Sequence, residues 1–314
     1  MLSSTRTPAR KRQDLRALLT PGAAQPFPGA FTPLSAKLIE EKGFPGVYVS
    51  GAVIANELGL PDIGLTTLTE VAARGALIAR STDLPCLIDA DTGFGEPMNV
   101  ARTIQELEDA GLAGCHIEDQ VNPKRCGHLD GKSMVDLATA TKRIRAAADG
   151  RRDPCFLVMA RTDLRATEGL GAAIDRMKAL VDAGADAIFP EALADLGEFE
   201  QVCEALDVPV LANMTEFGKS QLFTRAQLAE TGVAMVIYPV TLLRAAMGAA
   251  ERVLATILEE GTQESRVPEM LTRARLYELV DYESYSGFDA SVFDFEVPAA
   301  QPGPDTTADE GVTP

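Results

Sequence analysis

Short, continuously apolar runs recur along the chain, and each is followed by a stretch whose apolar residues return at helical spacing. The apolar runs are 29–32, 47–50, 86–90, 115–118, 156–160, 187–190, 210–212 and 234–238; helical stretches between them include 100–110, 137–148, 170–183 and 196–206. Runs so short and so uniformly apolar predict parallel strands buried on both faces. Several helical stretches close on glycine, in Glu41-Lys42-Gly43, Asp109-Ala110-Gly111, Asp182-Ala183-Gly184 and Glu230-Thr231-Gly232. Glycine just past the last helical residue can take the left-handed conformation that ends a helix. Eight strands alternating with helices predict an α/β fold, a (β/α)8 barrel of the TIM type rather than an open sheet.

A chain of 314 residues can hold one such barrel. Hydrophobic residues at 46% and charged residues at 24% fit a globular protein with a sizeable core. The net charge of −17 argues against a nucleic-acid partner, which calls for a basic face. It leaves room for an anionic small molecule, because local positive charge in a cleft can dominate there. No apolar run is long enough to span a bilayer, and the basic N-terminus lacks the apolar segment of a secretory signal. Cys86, Cys115, Cys126, Cys155 and Cys203 are odd in number and form no CxxC pair, the pattern of a reduced, cytoplasmic protein. Residues 1–13 read as a flexible basic tail, 14–292 as one domain and 293–314 as a disordered acidic tail.

Polar residues follow where the apolar runs stop: Ser50-Gly51, Asp89 and Asp91, Glu118-Asp119, Arg161-Thr162-Asp163, Glu191, Asn213-Met214-Thr215-Glu216, and Tyr238. In a barrel these ends share the face on which active sites are built. Helix caps and turns can account for some of them, Asp163 and Thr215 among them, but hardly for seven ends out of eight. Asp89-Ala90-Asp91 can hold a hard divalent cation such as Mg²⁺, which keeps several waters and takes one or two carboxylates. Glu118 and Glu191 could bind those waters; a pair of turn aspartates is the plainer alternative. Arg161, Arg244, Lys124 and Arg125 offer charge for carboxylates, against the plainer role of surface ion pairing. Ser50, Asn213 and Thr215 offer neutral hydrogen bonds. The densest chemistry lies in 116–128, which carries both histidines, His116 and His128, with Glu118, Asp119, Lys124, Arg125 and Cys126. Positive neighbours favour a thiolate, so Cys126 is expected to trade protons near neutral pH. A structural cysteine in a charged loop is the bland alternative. Gly127 and Gly93-Phe94-Gly95 could hinge a lid.

The signatures are Tyr48-Val49-Ser50-Gly51, Leu60-Pro61-Asp62, Asp89-Ala90-Asp91-Thr92-Gly93-Phe94-Gly95, Lys124-Arg125-Cys126-Gly127-His128, Met159-Ala160-Arg161-Thr162-Asp163, Phe189-Pro190-Glu191-Ala192 and Asn213-Met214-Thr215-Glu216-Phe217-Gly218. On them the chain, over about 14–285, resembles the methylisocitrate lyases of the isocitrate lyase and phosphoenolpyruvate mutase superfamily. The resemblance implies a Mg²⁺-dependent carbon–carbon lyase that cleaves the tricarboxylate 2-methylisocitrate to pyruvate and succinate, in the methylcitrate cycle of propionate catabolism. It implies that Asp89 and Asp91 hold the metal, aided through water by Glu118. Substrate would be bound by Ser50, Gly51, Ala52, Cys126, Gly127, Arg161, Glu191, Asn213, Met214, Thr215, Arg244 and Arg273. Cys126 would protonate the carbanion-like succinate, in a loop completed by Lys124, Arg125 and His128, while Tyr48 or Asp62 removes the hydroxyl proton. It further implies a cytoplasmic homotetramer, a pair of dimers, with the C-terminal helix exchanged between subunits. Two departures stand out: Ala52-Val53 replaces a glycine run that many relatives carry, and the loop opens with Asn122-Pro123. Isocitrate cleavage to glyoxylate and succinate is the alternative activity; a phosphonate mutase or oxaloacetate hydrolase is less well supported, because those branches lack the cysteine.

Overall fold

The computed structural model describes residues 4–125, 131–218 and 220–295. Its elements, in chain order, are α1 (Pro8–Leu18), β1 (Gln25–Pro28), α2 (Pro33–Glu41), β2 (Val47–Val49), α3 (Gly51–Glu57), α4 (Leu68–Ala79), β3 (Cys86–Asp89), α5 (Pro97–Asp109), β4 (Gly114–Glu118), α6 (Leu137–Gly150), β5 (Leu157–Thr162), α7 (Arg165–Asp182), β6 (Ala187–Pro190), α8 (Leu196–Ala205), β7 (Leu211–Asn213), α9 (Arg225–Glu230), β8 (Met235–Tyr238) and α10 (Thr241–Glu260), followed by a 3-10 turn (Glu264–Glu269), α11 (Arg273–Leu279) and α12 (Tyr282–Phe293). Every pairing between these strands is parallel. Strands β2 to β6 form one arc and β7, β8 and β1 the other. Single bridges, Gly29 to Tyr48 and Ile188 to Val210, join the arcs, so the eight strands close into a barrel. The four helix-ending glycines all have positive φ: 80° at Gly43, 82° at Gly111, 113° at Gly184 and 92° at Gly232.

Alternation along the strands sorts side chains into two cores. Phe27, Tyr48, Leu87, Leu157, Met159, Phe189, Leu211, Met235 and Ile237 fill the barrel. Val47, Val49, Ile88, Cys115, Ile117, Val158, Ala160 and Val236 face the surrounding helices. Because the side-chain period is two, an inward column continues past its apolar residues into the polar one that follows: Leu87 into Asp89, His116 into Glu118, Met159 into Arg161, Phe189 into Glu191, and Leu211 into Asn213. This puts the chemistry at the carboxyl end of the barrel.

Two sequence expectations are corrected here. The first strand is Gln25–Pro28, not 29–32, and Thr32 instead caps α2, accepting a hydrogen bond from the Ser35 N–H. The prolines disguise this strand. The N–H groups of Gln25 and Gly29 bond to β8 carbonyls at 2.8 and 2.9 Å. Alternation therefore turns the Pro26 and Pro28 nitrogens toward β2, where the seam is a single bridge and little pairing is lost. Second, residues 8–13, expected as part of a loose tail, begin α1. Leu15 of this helix and Leu19 just after it close the amino end of the barrel core. Its cations take up carbonyls left over at helix and strand ends: Lys11 Nζ reaches the oxygens of Ala79 (2.7 Å) and Thr82 (2.6 Å), and Arg12 those of Glu108 (2.7 Å) and Leu112 (3.1 Å).

The far end of the chain behaves differently. Of the 20 residues of α10 only Thr256 is buried, while Met247, Leu254 and Leu258 are 60–88% exposed. Helix α12 buries nothing. An apolar cavity of about 490 Å³ opens beside β1 and β8, lined by Pro26, Pro28, Leu38, Ile39, Phe44, Tyr238 and Leu242. No helix among the described residues is long and apolar enough to cross a membrane.

Candidate active site

A cavity of about 720 Å³ opens at the carboxyl end of the barrel. Its lining includes Tyr48, Ser50, Ala52, Asp62, Asp89, Lys124, Arg161, Phe189, Glu191, Asn213, Thr215 and Arg244.

Asp89 and Asp91 are interlocked: the Asp91 N–H donates to Asp89 Oδ1 at 2.9 Å, and the Gly51 N–H points at Asp89 Oδ2 at 3.3 Å. Asp91 has a left-handed φ of 47°, which a residue other than glycine adopts rarely and mostly at functional turns. A Cβ on Gly51 would lie 2.9 Å from Asp89 Oδ2, so only glycine allows this approach. The buried ammonium of Lys124 bridges Asp91, at 2.8 Å, and Asp62. Burial works against ionisation of Asp89, but the positive field of His116, Lys124 and Arg161 prevails and holds it at about 2. For Asp91, burial and the neighbouring Asp89 outweigh Lys124 and push it up to about 6. Glu118 is buried, neither of its oxygens accepts a hydrogen bond among the described residues, and its pKa is well above the usual carboxylate range because burial outweighs Arg161 and Lys124.

This donor set fits Mg²⁺. Hard carboxylate oxygens converge, one of them without hydrogen bonds, and their crowding is what a dication relieves. Among the described residues no three acidic, histidine or cysteine side chains form a direct ligand cage; Mg²⁺ takes one or two protein carboxylates and keeps several waters.

On the neighbouring strand, level with Glu118, stands Arg161, 7% exposed. It pairs with Asp163 through Nε (3.0 Å) and Nη2 (3.2 Å), with Glu191 at 3.1 Å and with Glu118 at 3.3 Å, and it lies over the Phe189 ring. Arg244 donates to Thr215 Oγ1 at 3.2 Å and pairs with Glu216 at 2.9 Å, at the more open end.

The expected residues do not all meet here. Met214 is buried in the outer core, where its sulfur accepts from the Phe223 N–H, so its side chain faces away from the cavity. Arg125 is held by its backbone, between the Oε1 and Nε2 atoms of Gln120 at 2.8 and 2.9 Å, and does not line the cavity. Arg273 is exposed on α11 and is likewise not part of this chain's lining. Cys126, Gly127 and His128 lie outside the described residues.

One central residue was missing from the expected site. His116 sits inside the barrel, wholly buried, with Nε2 2.7 Å from the Tyr48 hydroxyl and Nδ1 3.7 Å from Asp89. Burial lowers its pKa to about 4, so it is neutral at neutral pH. Burial and Asp89 raise Tyr48 well above the usual tyrosine range, so it keeps its proton. The signal was available: His116 stands two residues before Glu118, on the same strand face.

A family model described as phosphoenolpyruvate phosphomutase matches residues 15–258. The chain belongs to the phosphoenolpyruvate phosphomutase family. Within it, the chain is 56% identical over 302 residues to the probable 2-methylisocitrate lyase 2 of Corynebacterium glutamicum, covering 96% of this chain and 98% of the relative. A crystal structure of 2,3-dimethylmalate lyase superposes with a TM-score of 0.84 at 33% identity, covering 93% of this chain and 99% of that one. A phosphonopyruvate hydrolase in complex with oxalate and Mg²⁺ superposes with a TM-score of 0.82 at 28% identity, covering 90% and 99%.

Proposed function

We propose that the chain is a Mg²⁺-dependent carbon–carbon lyase that cleaves 2-methylisocitrate to pyruvate and succinate. The observation that carries this reading is a barrel-end cavity in which Asp89 and Glu191 share the lining with Arg161, which also touches Glu118, and with Arg244 at the more open end. Such a cavity suits a small polycarboxylate bound partly through a cation. The likeness to a named 2-methylisocitrate lyase over nearly the whole chain selects the substrate within that class.

Asp89 and Asp91 would hold the cation directly and Glu118 through water. When bound, Mg²⁺ supplies Lewis-acid polarisation of the reacting oxygens. Arg161 and Arg244 hold carboxylates, and Ser50, Asn213 and Thr215 add neutral hydrogen bonds. Removal of the substrate's hydroxyl proton turns that carbon into the ketone of pyruvate. The carbon–carbon bond breaks, and its electron pair passes to the carbon that becomes part of succinate. Cys126 returns a proton there, with Arg125 and His128 beside it in sequence. Of the two candidates for the first proton, Asp62 is the better base, since Tyr48 keeps its own proton and is committed to His116. Lys124, between Asp62 and Asp91, ties the two carboxylates together.

The unpaired Cys86, Cys115, Cys155 and Cys203 fit a reducing, cytoplasmic setting. One methyl group changes binding by about 1–3 kcal/mol, so isocitrate is expected to be cleaved more slowly rather than refused. The test is pyruvate release from 2-methylisocitrate, with glyoxylate release from isocitrate measured beside it; no pyruvate at saturating Mg²⁺ would refute the reading.

A further inference from the structure

Arg161 is surrounded by more negative charge than it can balance. Asp163, Glu191 and Glu118 all lie within 3.3 Å of its guanidinium, and even with Glu118 kept protonated by burial this sets two carboxylates against one cation. A substrate carboxylate arriving there would meet that negative charge beside a guanidinium that is itself largely buried. The second cation comes from Lys132, whose side chain is 3% exposed and whose Nζ lies 2.7 Å from Asp163 Oδ1. Asp163 is itself fully buried and thus shared between Lys132 and Arg161.

Lys132 is not held there by chance packing. The Val121 N–H donates to the Ser133 oxygen at 2.8 Å, and a Gln120–Met134 bridge ties the same segment to the end of β4. From the other side, Asp119 accepts the Asp163 N–H at 3.2 Å and the Thr162 hydroxyl at 2.6 Å. Asp163 is therefore fixed in place, and it grips the Nε edge of Arg161 while the guanidinium still borders the cavity.

We propose that Lys132 is a positioning residue for substrate binding: acting through Asp163, it offsets the negative charge around Arg161 and so leaves that guanidinium able to hold a carboxylate of the substrate. This rests on the reading of the cavity as a polycarboxylate site. Without Lys132, Asp163 would depend on Arg161 alone, and an incoming carboxylate would compete with a buried, uncompensated aspartate.

The test uses the full-length protein with Mg²⁺ and succinate, a stable dicarboxylate, titrated by calorimetry. Lys132→Met should weaken succinate binding roughly 10–100-fold, the range seen when a group that orients a ligand-binding side chain is lost. It should raise KM for 2-methylisocitrate more than it lowers kcat, and Lys132→Arg should recover most of the loss. Succinate binding at the wild-type level in a folded Lys132→Met protein would overturn the proposal, as would Lys132→Arg binding no better than Lys132→Met. If Lys132→Met does not fold, Lys132→Gln, which keeps a hydrogen bond but no charge, decides in the same way. A wild-type protein that binds succinate but releases no pyruvate would refute the proposed reaction and leave the Lys132 comparison standing; one that binds no succinate would overturn both.

Discussion

Glu118 shows how a single residue can reveal what the site is built for. A buried carboxylate without hydrogen bonds is costly unless something else compensates it. If that compensation is the cation, Glu118→Gln should raise the Mg²⁺ concentration needed for half-maximal activity by roughly 10–100-fold. The metal-free variant should melt no lower than the metal-free wild type, because burial already disfavours the charged form of Glu118 and glutamine has the same shape. An unchanged Mg²⁺ requirement would take Glu118 out of the cation's surroundings. Gly51→Ala tests the same locus sterically: the new Cβ would press on the Asp89 carboxylate at 2.9 Å, so Mg²⁺-dependent activity should fall while the fold persists. Activity equal to wild type would mean that Asp89 can move aside at no cost. For the thiol, Cys126→Ser should lower turnover by about 10²–10⁴-fold, as loss of a general acid does; near-normal turnover would remove Cys126 from the mechanism.

At the scale of elements, α1 is the clearest departure from what the sequence suggested. Lys11 and Arg12 read as part of a flexible basic tail, because helix-end carbonyls that absorb such charge leave no mark in a sequence. Leu15, fully buried against the barrel floor, is the anchor. Leu15→Ala should cost about 2–5 kcal/mol in urea unfolding; a loss below 1 kcal/mol would mean that α1 is an accessory. Other elements were readable for a physical reason. Strands buried on both faces are continuously apolar, so the polar residue that ends each inward column stands out, as Asp89, Glu118, Arg161, Glu191 and Asn213 do. Where that contrast is missing, the reading slipped. β1 hides behind Pro26 and Pro28, His116 is masked by its apolar lead-in, and Met214, a substrate contact by resemblance, has its side chain turned outward by alternation. Lys132 and Asp163 meet only through tertiary packing, and no spacing in the sequence joins them.

Across the whole molecule, the C-terminal helices do not complete the fold they belong to. Helix α10 leaves its apolar residues exposed, α12 buries nothing, and an apolar cavity remains open beside β1 and β8. Tyr277, Tyr282, Tyr285 and Phe288 are also 40–48% exposed. An interface would cover so much exposed apolar surface, and a second copy of the chain would offer both the helices and the groove to receive them. The expected assembly is a homotetramer built as a pair of dimers, with the terminal helical segment exchanged between subunits and Arg273 carried with it. Light scattering should give about four times the 33.4 kDa chain mass, and a chain ending before residue 270 should lose both that mass and its activity. A fully active monomer would contradict this.

The central claim concerns the reaction, and one assay reaches it most directly. Purified protein is stripped with a chelator, supplied with 2-methylisocitrate, and followed for pyruvate before and after Mg²⁺ is added. The expected result is no pyruvate without the metal and, with it, one pyruvate and one succinate for each 2-methylisocitrate consumed. Pyruvate formed at full rate in the chelated sample, or none formed once Mg²⁺ is restored, would contradict the account.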